Sequence, residues 1–282
     1  ARQSGPTDTS AWLIPGQLLF GSYPEGKARL KGRQPAHGDV AARILMSNIG
    51  TFFNLMEEEE EDAFSIRKGD NLAKNGYELL RRRYGFLKSQ LQSSVKKGQL
   101  AVQNANIEVS NVPRYPTNDT RYKDAMLKLH EAVAKQGLCI KNLEQAKADL
   151  NHFAKEFQYI RFPIPEGKSL EDDSTLLNLC TNIEERLRKG EKMYIFSRLG
   201  HGRVGLVGAC LLGRIYGCKA EEALFRVQMY HDSKVSVKMS NRAFSCPQTV
   251  DQVAQVRRIL SLGQGCYSKL VVKGNDAMVV YN

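Results

Sequence analysis

A chain of 282 residues with 42% hydrophobic and 25% charged side chains is long enough for one sizeable core plus an appendage, and its balance is that of a water-soluble globular protein. No apolar run approaches the roughly 20 residues that cross a bilayer, so no transmembrane helix is predicted. The net charge of +11, from 41 Lys and Arg against 30 Asp and Glu, points to acidic partner surfaces, and no basic-aromatic interleaving of useful length argues for a nucleic-acid module.

Residues 1–11 are small, polar and aperiodic, and predict a disordered or docking arm. They lack the apolar stretch of a secretory signal, and the start at Ala1 rather than Met is compatible with a removed presequence. Residues 25–39 read as a basic loop punctuated by Gly and Pro, with Asp39 as N-cap of a helix from Val40 to Ser47. The acidic run from Glu57 to Asp62 reads as the solvated start of a helix. Residues 71–91 have apolar positions interrupted by Arg81, Arg82 and Arg83, and predict a broken amphipathic helix or loop. Val112 to Pro116 predicts a turn or extended linker, because each proline steers its predecessor away from helix. Tyr122 to Phe157 is the clearest helical tract: Met126, Leu129, Val133, Ile140, Leu143 and Leu150 recur at helical spacing, and Gly137 is a candidate kink. Such a stripe packs against its own domain, or against a partner helix or lattice surface. His130 and His152 lie within it without a spacing partner for metal, and no cofactor or metal is expected. In the tail, residues 262–282, a short hairpin is predicted around Gly274, Asn275 and Asp276. Six cysteines (Cys139, Cys180, Cys210, Cys218, Cys246 and Cys266) show no CxxC pairing, which predicts free thiols in the cytoplasm or another reducing compartment.

One segment carries chemistry. Met193 to Phe196 reads as a buried strand and enters Ser197, Arg198, Leu199, Gly200, His201, Gly202 and Arg203, followed by Gly205 and an apolar helix from Leu206 to Tyr216. A turn of this kind at a helix N-terminus directs backbone N–H groups at an anion, and Arg203 adds a fork that matches phosphate oxygens. The segment resembles the active-site loop of the protein-tyrosine-phosphatase superfamily, in particular its dual-specificity branch. Members of that branch carry His-Cys, five residues, Arg, then Ser or Thr; here Phe196, Ser197, Arg203 and Val204 hold those positions. Gly208 to Gly217 and Ala220 to His231 are similar to the two helices behind that loop. Ser245 to Leu260 is similar to the last helix, with Gln248 and Gln252 at the positions that hold water for the second chemical step. Arg161 to Gly167 resembles the loop of the general acid, with Glu166 where Asp is usual and Asp172 and Asp173 close behind. Trp12 to Pro24 resembles the opening strand pair, and Thr51 to Met56 the next core strand. The resemblance implies an α/β fold, a central sheet flanked by helices, made of residues 12–56 and 159–261. Residues 57–158 become a large, mostly helical insertion.

The resemblance implies a phosphate cradle formed by Ser197 to Arg203 without its thiol. A Cys in that place is a thiolate and a nucleophile, whereas a Ser hydroxyl needs a base to take its proton. Losing a nucleophile costs on the order of 10⁶ in rate. Phe196, Val204 and Glu166 depart from the family at the same site. The expectation is an inactive, binding or structural module. Its protein partners would present acidic or phosphorylated surfaces, with a cytoskeletal or ciliary lattice among them. Two alternatives stay open: a dual-specificity phosphatase carrying an engineered Cys-to-Ser change at Ser197, and a Ser hydrolase using His201 as base. Arg203 also has a purely architectural reading, pinning the loop through nearby carboxylates, and Glu166 one as a plain surface residue.

Overall fold

The computed structural model describes residues 3–24, 40–60, 76–117, 120–238 and 243–262. The basic loop, the Asp39 cap and the tail hairpin lie outside the described residues. Two compact units emerge: Ala1–Arg83 with Ala154–Asn282, and Tyr84–Phe153.

The first unit contains β1 (Ser10–Ile14), β2 (Leu18–Ser22), β3 (Thr51–Asn54), β4 (Gln158–Arg161) and β5 (Met193–Ser197). They form one sheet in the order β1-β2-β5-β3-β4. Only β1 runs antiparallel to its neighbour; β2, β5, β3 and β4 pair in parallel. Parallel neighbours need crossover connections. The helices, in chain order, are α1 (Val40–Met46), α2 (Gly76–Ser110), α3 (Tyr122–His152), α4 (Asp173–Arg188), α5 (Gly202–Tyr216), α6 (Ala220–Asp232), α7 (Val235–Lys238) and α8 (Val250–Leu262). This is the mixed α/β architecture that the sequence led us to expect, a central sheet flanked by helices with a long helical excursion, and the sheet has five strands. No described helix is long and apolar enough to cross a membrane.

Strand side chains alternate between two buried layers. Leu18, Phe20, Phe53, Met193 and Ile195 join the main core with Leu176, Ile183, Val207, Leu211 and Val256. Their neighbours on the strands build an aromatic layer: Tyr194 stacks on Phe196 at 5.5 Å and meets Phe52 edge-on at 6.3 Å. Because β5 is central, both of its faces are buried, and its carboxyl end opens where ligands of parallel sheets bind.

The N-terminal segment is not a free arm. Trp12 N–H donates to the Gln3 carbonyl at 2.7 Å, Ser4 bridges to Ala11, and the Asp8 carbonyl accepts from Ser236 N–H at 2.9 Å. Thr7 and Ser10 are buried and bond through their hydroxyls at 2.7 Å. Thr7 and Ser10 satisfy each other, a pattern with no periodicity to read.

The second unit is made from the helical tracts. α2 runs unbroken where a broken helix or loop was expected, and α3 continues through Gly137 without splitting in two. Neither tract has an internal proline, and a single Gly costs only about 1 kcal/mol in a helix. The tract expected to reach Phe157 stops at His152, where Phe153 becomes extended. The two helices pair antiparallel through Gln136–Asn106 at 2.7 Å, Lys135–Glu108 at 2.5 Å and Leu143 against Gly98. Ala105, Ala125 and Ala132 are buried, whereas Leu100, Ile107, Leu127, Val133 and Leu138 are exposed.

Candidate anion cradle

β5 delivers Ser197 to the base of a turn that ends where α5 begins at Gly202. The turn closes because three glycines admit neighbours that a Cβ would exclude. Gly200 has φ +68°, and a Cβ there would lie 2.4 Å from the Gly21 carbonyl carbon of β2. A Cβ on Gly202 would meet Gln252 Oε1 at 2.9 Å, and one on Gly205 would meet Cys246 Sγ at 2.7 Å. The first N–H groups of α5 have no helical acceptor, which is the basis of anion binding at such a turn.

Ser197 is buried, and its Oγ accepts the Gly200 N–H at 3.3 Å. Among the described residues no imidazole or carboxylate hydrogen-bonds to it. His201, the sole nearby base read from the sequence, turns elsewhere: its Nδ1 is 2.5 Å from His231 Nε2, and its ring stacks on Phe244 at 4.6 Å. His231 Nδ1 lies 3.2 Å from Asp232 Oδ1, so a network with His231 donating to Asp232 and accepting from His201 satisfies all three. Burial is the main force lowering both imidazoles, His201 to about 3 and His231 to about 4, so the pair is neutral at physiological pH.

Arg203 is buried and enters the site already paired. Its Nη1 donates to Glu60 Oε2 at 2.5 Å and to the Ile164 carbonyl at 3.3 Å, and its Nη2 donates to Glu60 Oε1 at 2.7 Å. A guanidinium carries five N–H donors. Among the described residues, that end-on grip leaves Nε–H and the second Nη2–H as a two-donor edge. Glu60 belongs to the acidic run read as solvated; Glu57, Glu58 and Glu59 are exposed as expected, but Glu60 is a half-buried counterion. A buried Arg demands such a partner, which was the available signal, although spacing could not select one glutamate of the run.

A second cation also serves the turn. Lys234, fully buried just beyond α6, donates from Nζ to the Gly200 carbonyl at 2.8 Å and sits 4.6 Å over the Phe20 ring. Sequence reasoning missed it, because an isolated Lys in a helical connection carries no motif.

The remaining expected residues are placed as follows. Phe196, in the family's His position, belongs to the aromatic layer, where it also meets Tyr23 at 5.8 Å and Tyr159 at 6.2 Å. Val204 packs in the main core. Leu199 is exposed at the rim. Glu166 is 54% exposed and pairs with Arg198 at 3.5 Å, so it stands at the rim and not against Ser197. Asp172 caps α4 by accepting Ser174 N–H at 2.9 Å, and these Ser174 bonds hold its carboxyl below the usual range. Asp173 is engaged by Arg258 at 3.0 Å. Gln252 is buried against the turn, its Oε1 accepting Gln248 N–H at 3.1 Å and its Nε2 donating to the Lys168 carbonyl. Gln248 contributes its backbone there, and its side chain is exposed. The structure thus brings Ser197, Gly200, Gly202, Arg203 and Gln252 together, leaves Glu166 and Leu199 at the rim, and sets the Cβ of exposed Gln248 beside Gly202.

Comparison with known proteins gives a partial relative. A stretch of 79 residues, 27% of this chain, is 33% identical to "Putative tyrosine phosphatase 067L" of Invertebrate iridescent virus 3. The chain spans about a third of that relative's length (33%). No family model matches the chain. Among solved structures, the active form of Tk-PTP superposes with a TM-score of 0.42 at 14% identity, covering 90% of this chain and 97% of that one. PTPMT1 in complex with PI(5)P gives 0.41 at 11% identity, covering 90% and 95%.

Proposed function

We propose that this chain carries a tyrosine- or dual-specificity-phosphatase-type domain that holds a phosphorylated group of a protein partner without cleaving it. The viral relative supports the domain type. One observation carries the lack of chemistry: among the described residues the Ser197 hydroxyl has only a backbone N–H as partner, while His201 is committed to His231. A hydroxyl without a base stays protonated and is a poor nucleophile. Glu166, paired with Arg198 at the rim, would have to reach the leaving oxygen of a bound substrate to act as the acid. Binding needs neither group. It draws on the turn's amides and the free edge of Arg203.

Titration of a phosphotyrosine peptide and turnover of a fluorogenic phosphate ester test this together. Binding that is lost in Arg203→Ala, with no turnover above background, is the expected result. Turnover that disappears in Arg203→Ala would overturn it. Ser197→Cys is expected to stay slow, because Glu166 remains outside; strong activity in that variant would favour an enzyme whose thiol had been exchanged. The exposed apolar positions of the helical unit, together with the basic charge of the chain, support contact with an acidic protein surface such as a cytoskeletal lattice.

A further inference from the structure

Beneath the turn lies a group of ionisable side chains that the proposed function does not use: His201, His231, Asp232, Lys234 and Cys246. Lys234 is the one that touches the cradle's backbone. Its Nζ bonds the Gly200 carbonyl at 2.8 Å, and that carbonyl belongs to the same peptide unit as the His201 N–H. In a trans peptide the N–H points opposite to the carbonyl oxygen, so the lysine's hold on that oxygen sets the direction of the His201 N–H. The positive φ of Gly200 and the close approach of Gly21 fix the same peptide from the other side.

We infer that Lys234 is a positioning residue of the anion cradle, and that its ammonium proton is thermodynamically linked to occupancy of the cradle by an oxyanion. This rests on the reading of the turn as an anion site. A buried ammonium bound to a carbonyl polarises the peptide, so the distal N–H becomes a better donor to an anion. An anion in the turn favours the protonated lysine in return, and linkage makes the two effects equal.

The surroundings allow the linkage to be read. Lys234 faces Phe20 on β2, His201 in the turn, His231 and Asp232 on α6, and Cys246 before α8. Burial lowers Lys234 to about 8, and pushes the Cys246 thiol up to about 12. The two imidazoles, at about 3 and about 4, are neutral well below that point. Lys234 therefore loses its charge near pH 8 while His201, His231 and Cys246 stay neutral.

Sulfate is the probe, because its charge is constant across this range. Calorimetric titration of the intact protein in two buffers of different ionisation enthalpy reports both affinity and proton uptake. Sulfate affinity is expected to fall as pH rises through about 8, with uptake of a fraction of a proton there. Lys234→Met, folded by circular dichroism, is expected to bind roughly tenfold more weakly with a flat pH profile. Lys234→Arg keeps a charge that does not titrate, and should bind with a flat profile as well. Wild-type binding without proton uptake, or an unchanged slope in Lys234→Arg, overturns the role of Lys234 alone. No sulfate binding by the wild type at any pH overturns the cradle reading itself.

Discussion

Glycine serves opposite ends in the two units. In the turn after β5, a Cβ on Gly200, Gly202 or Gly205 would come within 3 Å of another atom, whereas Gly85 and Gly137 in the helical unit have nothing within 4 Å. A turn that does not satisfy its own backbone must be backed by other chain segments, and β2, the segment at Cys246 and Pro247, and Gln252 crowd against this one. A helix satisfies its own backbone internally and needs no such backing. The first region is fixed by what surrounds it; the second holds its own backbone by its repeat and crowds at Gly98, where Leu143 packs.

The largest test of that contrast is Glu60→Ala. Removing the counterion strands a buried guanidinium, with an expected loss of about 3–5 kcal/mol in urea unfolding. A loss of about 1 kcal/mol or less would mark the pair as solvent-screened. Gly200→Ala comes next. Left-handed strain and the clash with β2 predict a loss of about 3 kcal/mol, and a neutral result would show that β2 gives way.

The imidazole pair sharpens the contrast through pH. Both groups lie below the ordinary value of 6.5 when folded, so the unfolded chain binds more protons between that value and about 4. Stability therefore falls as pH drops through that window and is unaffected above it. Melting temperature should decline on acidification, less steeply in His231→Gln; equal slopes would place the titrating groups elsewhere. The smallest effect is in the helical unit, where Gly137→Ala should raise stability by about 0.5–1 kcal/mol. A decrease would reveal a neighbour at that face.

What the sequence disclosed follows the same division. The strand, turn and helix from Met193 to Tyr216 were legible because apolar period, glycines and Arg203 are all local signals. The continuity of α2 was not, because Arg81, Arg82 and Arg83 obscured a helix period that charged side chains tolerate. Glu60, Lys234 and the His201–His231 contact were invisible for another reason. Each joins positions far apart in the chain, 143 residues in the case of Arg203 and Glu60, and spacing does not encode which partner a buried charge will find. Thr7 and Ser10 hid differently, since a satisfied polar pair looks like a solvated one.

One feature of the sheet bears on how this chain tolerates change. β3 and β4 are hydrogen-bonded neighbours, and Asn54 reaches Tyr159 across 105 positions of sequence at 2.9 Å. The entropy of closing such an excursion grows only with the logarithm of its length, about 0.6 kcal/mol for each doubling. Trimming or extending the paired helices at Val112 to Pro116 therefore leaves the sheet almost as easy to assemble as before. A change of length in that excursion falls far in sequence from the turn between β5 and α5, whose backing comes from β2, the segment at Cys246 and Pro247, and Gln252.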